Sequence, residues 1–100
     1  MLAWLQGWYA GYCDGEWEHQ YGIRIETLDN PGWLLHIDLT GTDLKGVEFA
    51  ELVRQNPANV DDWIQCRVGD EVFTGAGGSH NLEELLRVFR TWVEGRGSRD

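Results

Sequence analysis

The pattern of the chain predicts an α+β fold, a single antiparallel sheet of about five strands with an N-terminal and a C-terminal helix. Three observations carry this expectation. Apolar residues recur at helical spacing near both ends of the sequence. Between them, apolar and polar residues alternate with the period of two that a half-buried strand requires. A proline and a glycine sit together between two such alternating runs, the chemistry of a tight hairpin turn. The order is α-β-β-β-β-β-α, which leaves both helices free to cover one face of the sheet.

The elements follow in order. Leu2, Leu5, Trp8, Tyr9 and Tyr12, with Trp4 beside them, predict an amphipathic helix over residues 2–13 that ends between Gly11 and Gly15. Tyr21, Ile23 and Ile25 alternate with polar residues and predict the first strand. Asn30-Pro31-Gly32-Trp33 then reads as a type II turn, after which Trp33, Leu35, Ile37 and Leu39 face one way and Leu34, His36, Asp38 and Thr40 the other. Val47 to Val53 fits a third strand or a helical turn. Asn56 to Asp62 is a polar loop broken by Pro57. Trp63 to Val68 predicts a fourth strand, and Gly69-Asp70 turns into a short fifth, Glu71 to Thr74.

Gly75 to His80 should be irregular, with three glycines in four positions. Its role is expected to be a close backbone crossing or a shaped contact loop. Asn81 should cap the last helix, with Glu84 completing a capping-box-like signature. Leu82, Leu85, Leu86, Phe89, Trp92 and Val93 form that helix's apolar stripe, and Gly95 should end it. The chain thus reads as one domain, 1–95, with a disordered tail at 96–100.

Composition narrows the function. The 100 residues carry a net charge of −9, unevenly spread. Residues 1–86 hold fifteen acids against four bases, −11, and residues 87–100 hold two against four, +2. An acidic body repels phosphate, so neither nucleic acid nor an anionic membrane is the expected partner. It steers a basic protein instead. No apolar run approaches the roughly 20 residues of a membrane span, and the first residues lack a signal peptide's basic start, so the protein is expected in the cytoplasm. Cys13 and Cys66 fall in different elements and are expected as free thiols, Cys66 buried.

The stretch Cys13-Asp14-Gly15-Glu16-Trp17-Glu18-His19 is the part of the sequence that core packing does not explain. An indole with an acidic rim suits contact with a basic protein. The alternative is that Trp17 folds back under the first helix as core. Enzymatic readings find less to rest on. Cys66-Arg67-Val68-Gly69 superficially matches the start of a rhodanese loop, but Asp70 and Glu71 follow and would raise the thiol pKa. Cys13, Asp14, His19 and His36 lack a second ligand pair at metal spacing. Gly75 to Ser79 lacks the Lys-Ser/Thr of a phosphate loop, and Glu83 and Glu84 would repel an anion there.

Several motifs together resemble a known family. They are Trp4-Leu5-x-x-Trp8-Tyr9, Cys13-Asp14-Gly15-x-Trp17-Glu18-His19, Tyr21-Gly22-Ile23, Thr27-Leu28-Asp29-Asn30-Pro31-Gly32-Trp33 and Asp38-Leu39-Thr40-Gly41-Thr42. Asp62-Trp63-Ile64-x-Cys66, Phe73-x-Gly75-Ala76-Gly77-Gly78 and Asn81-Leu82 continue the likeness, while His80 departs from it. The chain resembles the immunity protein 53 family of bacterial polymorphic toxin systems. That resemblance implies a small cytoplasmic α+β protein without enzymatic activity or cofactor, which protects the producing cell by binding a cognate toxin, with a basic nuclease as the plausible toxin class. Asp14, Glu16, Trp17, Glu18 and Asp29 are the expected toxin contacts. The competing functions are a rhodanese-like sulfurtransferase using Cys66 and a small-ligand or metal-binding module.

Overall fold

A computed structural model of the chain describes residues 1–97. Helix α1 spans Leu2–Tyr12 and a single turn, α2, spans Trp17–Gln20. The strands are β1 (Ile23–Leu28), β2 (Gly32–Asp38), β3 (Leu52–Gln55), β4 (Trp63–Gly69) and β5 (Val72–Gly77), and α3 (Leu82–Gly97) closes the described chain. The five strands form one sheet in the order β1-β2-β5-β4-β3, with every neighbouring pair antiparallel.

Alternation along the strands decides which face is buried. Leu35 and Ile37 on β2, Ile64 and Cys66 on β4 and Phe73 on β5 point to the same side, none more than 1% exposed. Leu85, Leu86 and Phe89 of α3 and Leu5 of α1 join them in one core. Both helices therefore cover one face, as the alternation predicted. Phe89 ties the two together through edge-on contacts with Trp4 and Trp8, at ring separations of 6.0 and 5.1 Å. The alternate residues along the strands, such as His36 opposite Arg24 and Thr74 opposite Arg67, lie on the other face.

The structure moves several expected elements. Asn30-Pro31 is a cis peptide, and Gly32 is not at positive φ but pairs with Leu28 as the first residue of β2. The turn is thus Asp29 to Pro31, not type II, and Gly32 is small because a Cβ there would run into the carbonyl of Gly77 on β5. The third strand begins at Leu52 rather than Val47. Ahead of it, Phe49 packs against Phe73 and Trp92, and Trp92 Nε1 donates to the Glu48 carbonyl at 2.9 Å. Packing of Phe49 against these rings, not strand pairing, accounts for the aromatic residue of that stretch.

Gly75, Ala76 and Gly77 belong to β5 and are not irregular. A Cβ at Gly75 would sit 3.2 Å from Leu85 of α3, and one at Gly78 would strike the Asp61 carbonyl. The glycine run is a close crossing of backbone under α3 and beside β4. Asn81 stands at the start of α3, where its backbone carbonyl accepts from the Leu85 N–H at 3.1 Å. Its amide oxygen accepts from the Trp63 N–H at 3.4 Å and its NH₂ donates to Asp62 and Glu84. Helix α3 runs past Gly95 to Gly97. Of the tail expected at 96–100, residues 98–100 lie outside the described residues. No helix among the described residues is long and apolar enough to cross a membrane.

Candidate functional site

The segment singled out in the sequence folds into a compact corner between α1 and β1. Cys13 ends α1, and Gly15, at φ 94°, lets the chain reverse where a side chain would be strained. Asp14 Oδ1 accepts from the N–H groups of Glu16 (2.9 Å) and Trp17 (3.0 Å), which starts α2. Glu18 reaches back along the same turn and accepts from the N–H groups of Asp14 (2.9 Å) and Gly15 (2.8 Å). Backbone donation from Trp17 and then Glu16 holds the Asp14 carboxyl below its usual range. Glu18 is lowered first by its own backbone N–H, with those of Asp14 and Gly15 adding to it. Both groups are ionised at neutral pH, so the corner is negatively charged.

Trp17 is the pin of this corner, and only 7% of it is exposed. Its indole N–H donates to the Thr40 carbonyl at 2.8 Å. Trp8, Tyr9, Tyr12 and Tyr21 surround the ring at centroid distances of 5.7 to 6.4 Å. Gly41, at φ 79°, passes directly beneath it, where a Cβ would sit 3.0 Å from the indole. Of the two roles open to Trp17 in the sequence, its position fits the core one.

Around the pin the surface is concave. A hollow of about 540 Å³ is bordered by Tyr12, Asp14, Glu16, His19 and Gly41. It adjoins a larger one of about 840 Å³ between α1 and the start of β1, the two sharing His19, Gln20 and Tyr21. The structure brings Asp14, Glu16, Trp17 and Glu18 together but not Asp29. Asp29 is in the turn at the far end of β1, a six-residue strand that spans roughly 17 Å. Of the tyrosines that line the hollows, Tyr9 and Tyr12 were legible as part of the helical stripe and Tyr21 as part of the first strand.

Other candidate chemistry is tied up in the fold. Arg54 forms a fork with Glu84 (2.7 and 2.9 Å) and bonds Asp62 at 2.7 Å, while Asn56 and Asn81 donate to the same Asp62 carboxylate. Those donors hold the Asp62 carboxyl far below the usual carboxylate range, Arg54 first. Cys66 is fully buried in β4, and its thiol is pushed up to about 11. Burial is the main cause and Glu84 the second, not the Asp70 and Glu71 expected from the sequence. No group of three or more His, Cys, Asp or Glu among the described residues is placed to hold a metal ion.

One comparison with known proteins finds a match. The family model described as Immunity protein 53 matches residues 2–94, nearly the whole chain. The chain belongs to the immunity protein 53 family. No curated protein and no solved structure matches it. The matched span includes both the corner and the whole sheet.

Proposed function

We propose that this immunity protein neutralises the toxin of a bacterial polymorphic toxin system by binding its toxin domain stoichiometrically and occluding it. The family match over residues 2–94 carries this reading. The acidic corner supports the choice of surface: Asp14 and Glu16 border the smaller aromatic hollow and Glu18 the larger one beside it, with Asp29 as a separate acidic contact. Trp17 contributes by fixing the corner's shape from below. A net charge of −9 favours a toxin with a basic surface, such as a nuclease. Catalysis by Cys66 gains no support, since a thiol near 11 inside a sheet supplies little thiolate at neutral pH.

The test is co-purification with the toxin domain encoded beside this gene, followed by association rates at several salt concentrations. Tight one-to-one binding that slows as salt rises is expected. Rates that stay flat from low to physiological salt would remove the electrostatic part. Failure to bind would remove the toxin reading itself.

A further inference from the structure

One edge of the sheet is left open beside the larger hollow. Among the described residues, strand β1 pairs only with β2. The Asp38 N–H donates to the Gly22 carbonyl at 3.0 Å, so in the continuous register that follows, Arg24, Glu26 and Leu28 turn their backbone groups toward β2. Ile23, Ile25 and Thr27 therefore turn theirs outward, and no hydrogen bond reaches them among the described residues. Two of the usual protections of an edge are missing, since β1 holds no proline and its register with β2 contains no bulge; its charged residues are Arg24 and Glu26. Ile25 is 40% exposed on this strand. The opposite edge, β3, is only four residues long.

The hollow beside β1 mixes apolar and polar walls, with Arg24 as its one guanidinium and Glu18 and Asp38 as its carboxylates. Leu2, Leu5 and Tyr9 of α1 face Tyr21 and Ile23. Leu2 was expected in the buried stripe of α1 but is 63% exposed here. Glu18 before β1 and Asp29 after it place a negative charge near each end of the open edge.

We propose that an extended segment of the cognate toxin adds to β1 as a sixth strand, its backbone pairing with Ile23, Ile25 and Thr27. Apolar side chains of that segment enter the hollow against Leu2 and Ile23, and basic ones meet Glu18 and Asp29. Main-chain pairing at an exposed edge supplies affinity, and pockets for alternate side chains supply selectivity. A second copy of this chain is the competing occupant, but two bodies of −9 repel each other. The inference rests on the toxin reading and names the surface that reading leaves open.

The probe is the toxin domain encoded beside this gene, made inactive by substitution, with amide exchange followed in the free and bound protein. Binding should slow exchange at Ile23, Ile25 and Thr27 by about 100-fold or more, as for other newly paired strands. Ile25→Pro removes one outward donor that the free fold does not use, so it should keep the denaturation midpoint within a few degrees. It should weaken toxin binding about 100-fold, against less than about tenfold for Ile25→Ala. Tight binding with β1 exchange unchanged overturns the proposal and leaves the toxin reading standing; this arm uses the unmodified chain and does not depend on the proline variant folding. A concentration-dependent dimer that protects β1 and is lost in Ile25→Pro also overturns it, in favour of self-pairing. A chain that does not bind the toxin at all overturns both.

Discussion

The indole nitrogen of Trp17 donates to the backbone carbonyl of Thr40 across 2.8 Å, joining the corner after α1 to the loop after β2. That one bond, with four aromatic rings around the indole, sets the shape of the acidic surface. Trp17→Ala should therefore cost about 3–5 kcal/mol of stability. Trp17→Phe should cost about 1–2 kcal/mol, chiefly from the unpaired Thr40 carbonyl. Denaturant unfolding of both variants checks this. A Trp17→Ala protein as stable as its parent would show that the ring is not structural.

Asp62 gives the pH dependence a sign. Its folded carboxyl titrates below the unfolded value because Arg54, Asn56 and Asn81 donate to it. The stabilisation is present above the unfolded pKa of about 3.9. It is lost as pH falls through that value toward the folded one. Thermal unfolding from pH 6 down to pH 2 should show a steep loss, and Asp62→Asn should start less stable and fall less steeply. Parallel curves would remove Asp62 as the source. Because these side chains are about one-third exposed, solvent screening limits the size of the effect.

How far the fold was legible depended on whether periodicity or tertiary contact decided each element. The β1–β2 pair and α3 announced themselves, because Leu35 and Ile37 on one and Leu85 and Phe89 on the other repeat at the period of the element that buries them. The stretch from Val47 to Val53 misled, because Phe49 is apolar for the sake of Phe73 and Trp92, far away in sequence. Helix α2 is four residues long, too short to show a period, and only the Asp14 side chain ahead of it hinted at a turn. Gly75 and Gly77 suggested a loop when the close approach of α3 and β4 was the reason for them. The acidic corner was visible as composition, and the first strand expected between Glu18 and Asp29 was itself the signal that sets Asp29 apart from it.

The turn between β4 and β5 stores strain that can be isolated. Asp70 and Glu71 are both left-handed, at φ 54° and 61°. Glu71 is kept there while its carboxylate accepts from the Thr40 hydroxyl at 2.6 Å and its carbonyl from the Leu39 N–H at 2.8 Å. Glu71→Ala and Glu71→Gly lose the same side-chain bond, but only glycine relieves the backbone. The glycine variant should be the more stable of the two by about 1 kcal/mol. Equal midpoints would mean the backbone relaxes out of that conformation in the alanine protein.

The two cysteines separate a binding protein from a sulfur-transfer enzyme. Cys13 is exposed and Cys66 fully buried. With its thiol pushed up to about 11, Cys66 has about one molecule in a thousand ionised at pH 8, and that fraction has no route to solvent. A thiol reagent should therefore label one cysteine quickly in the native protein and the second only when denaturant opens the sheet. Cys66→Ala should remove the slow component, leave toxin binding within about twofold, and cost stability through the small cavity under Leu85 and Gly75. Rapid labelling of Cys66 in the folded chain, together with sulfur transfer from thiosulfate to cyanide, would move this domain from occlusion to catalysis. Labelling of Cys13 alone, with no transfer, leaves the acidic corner and the open edge of β1 as the surfaces through which it acts.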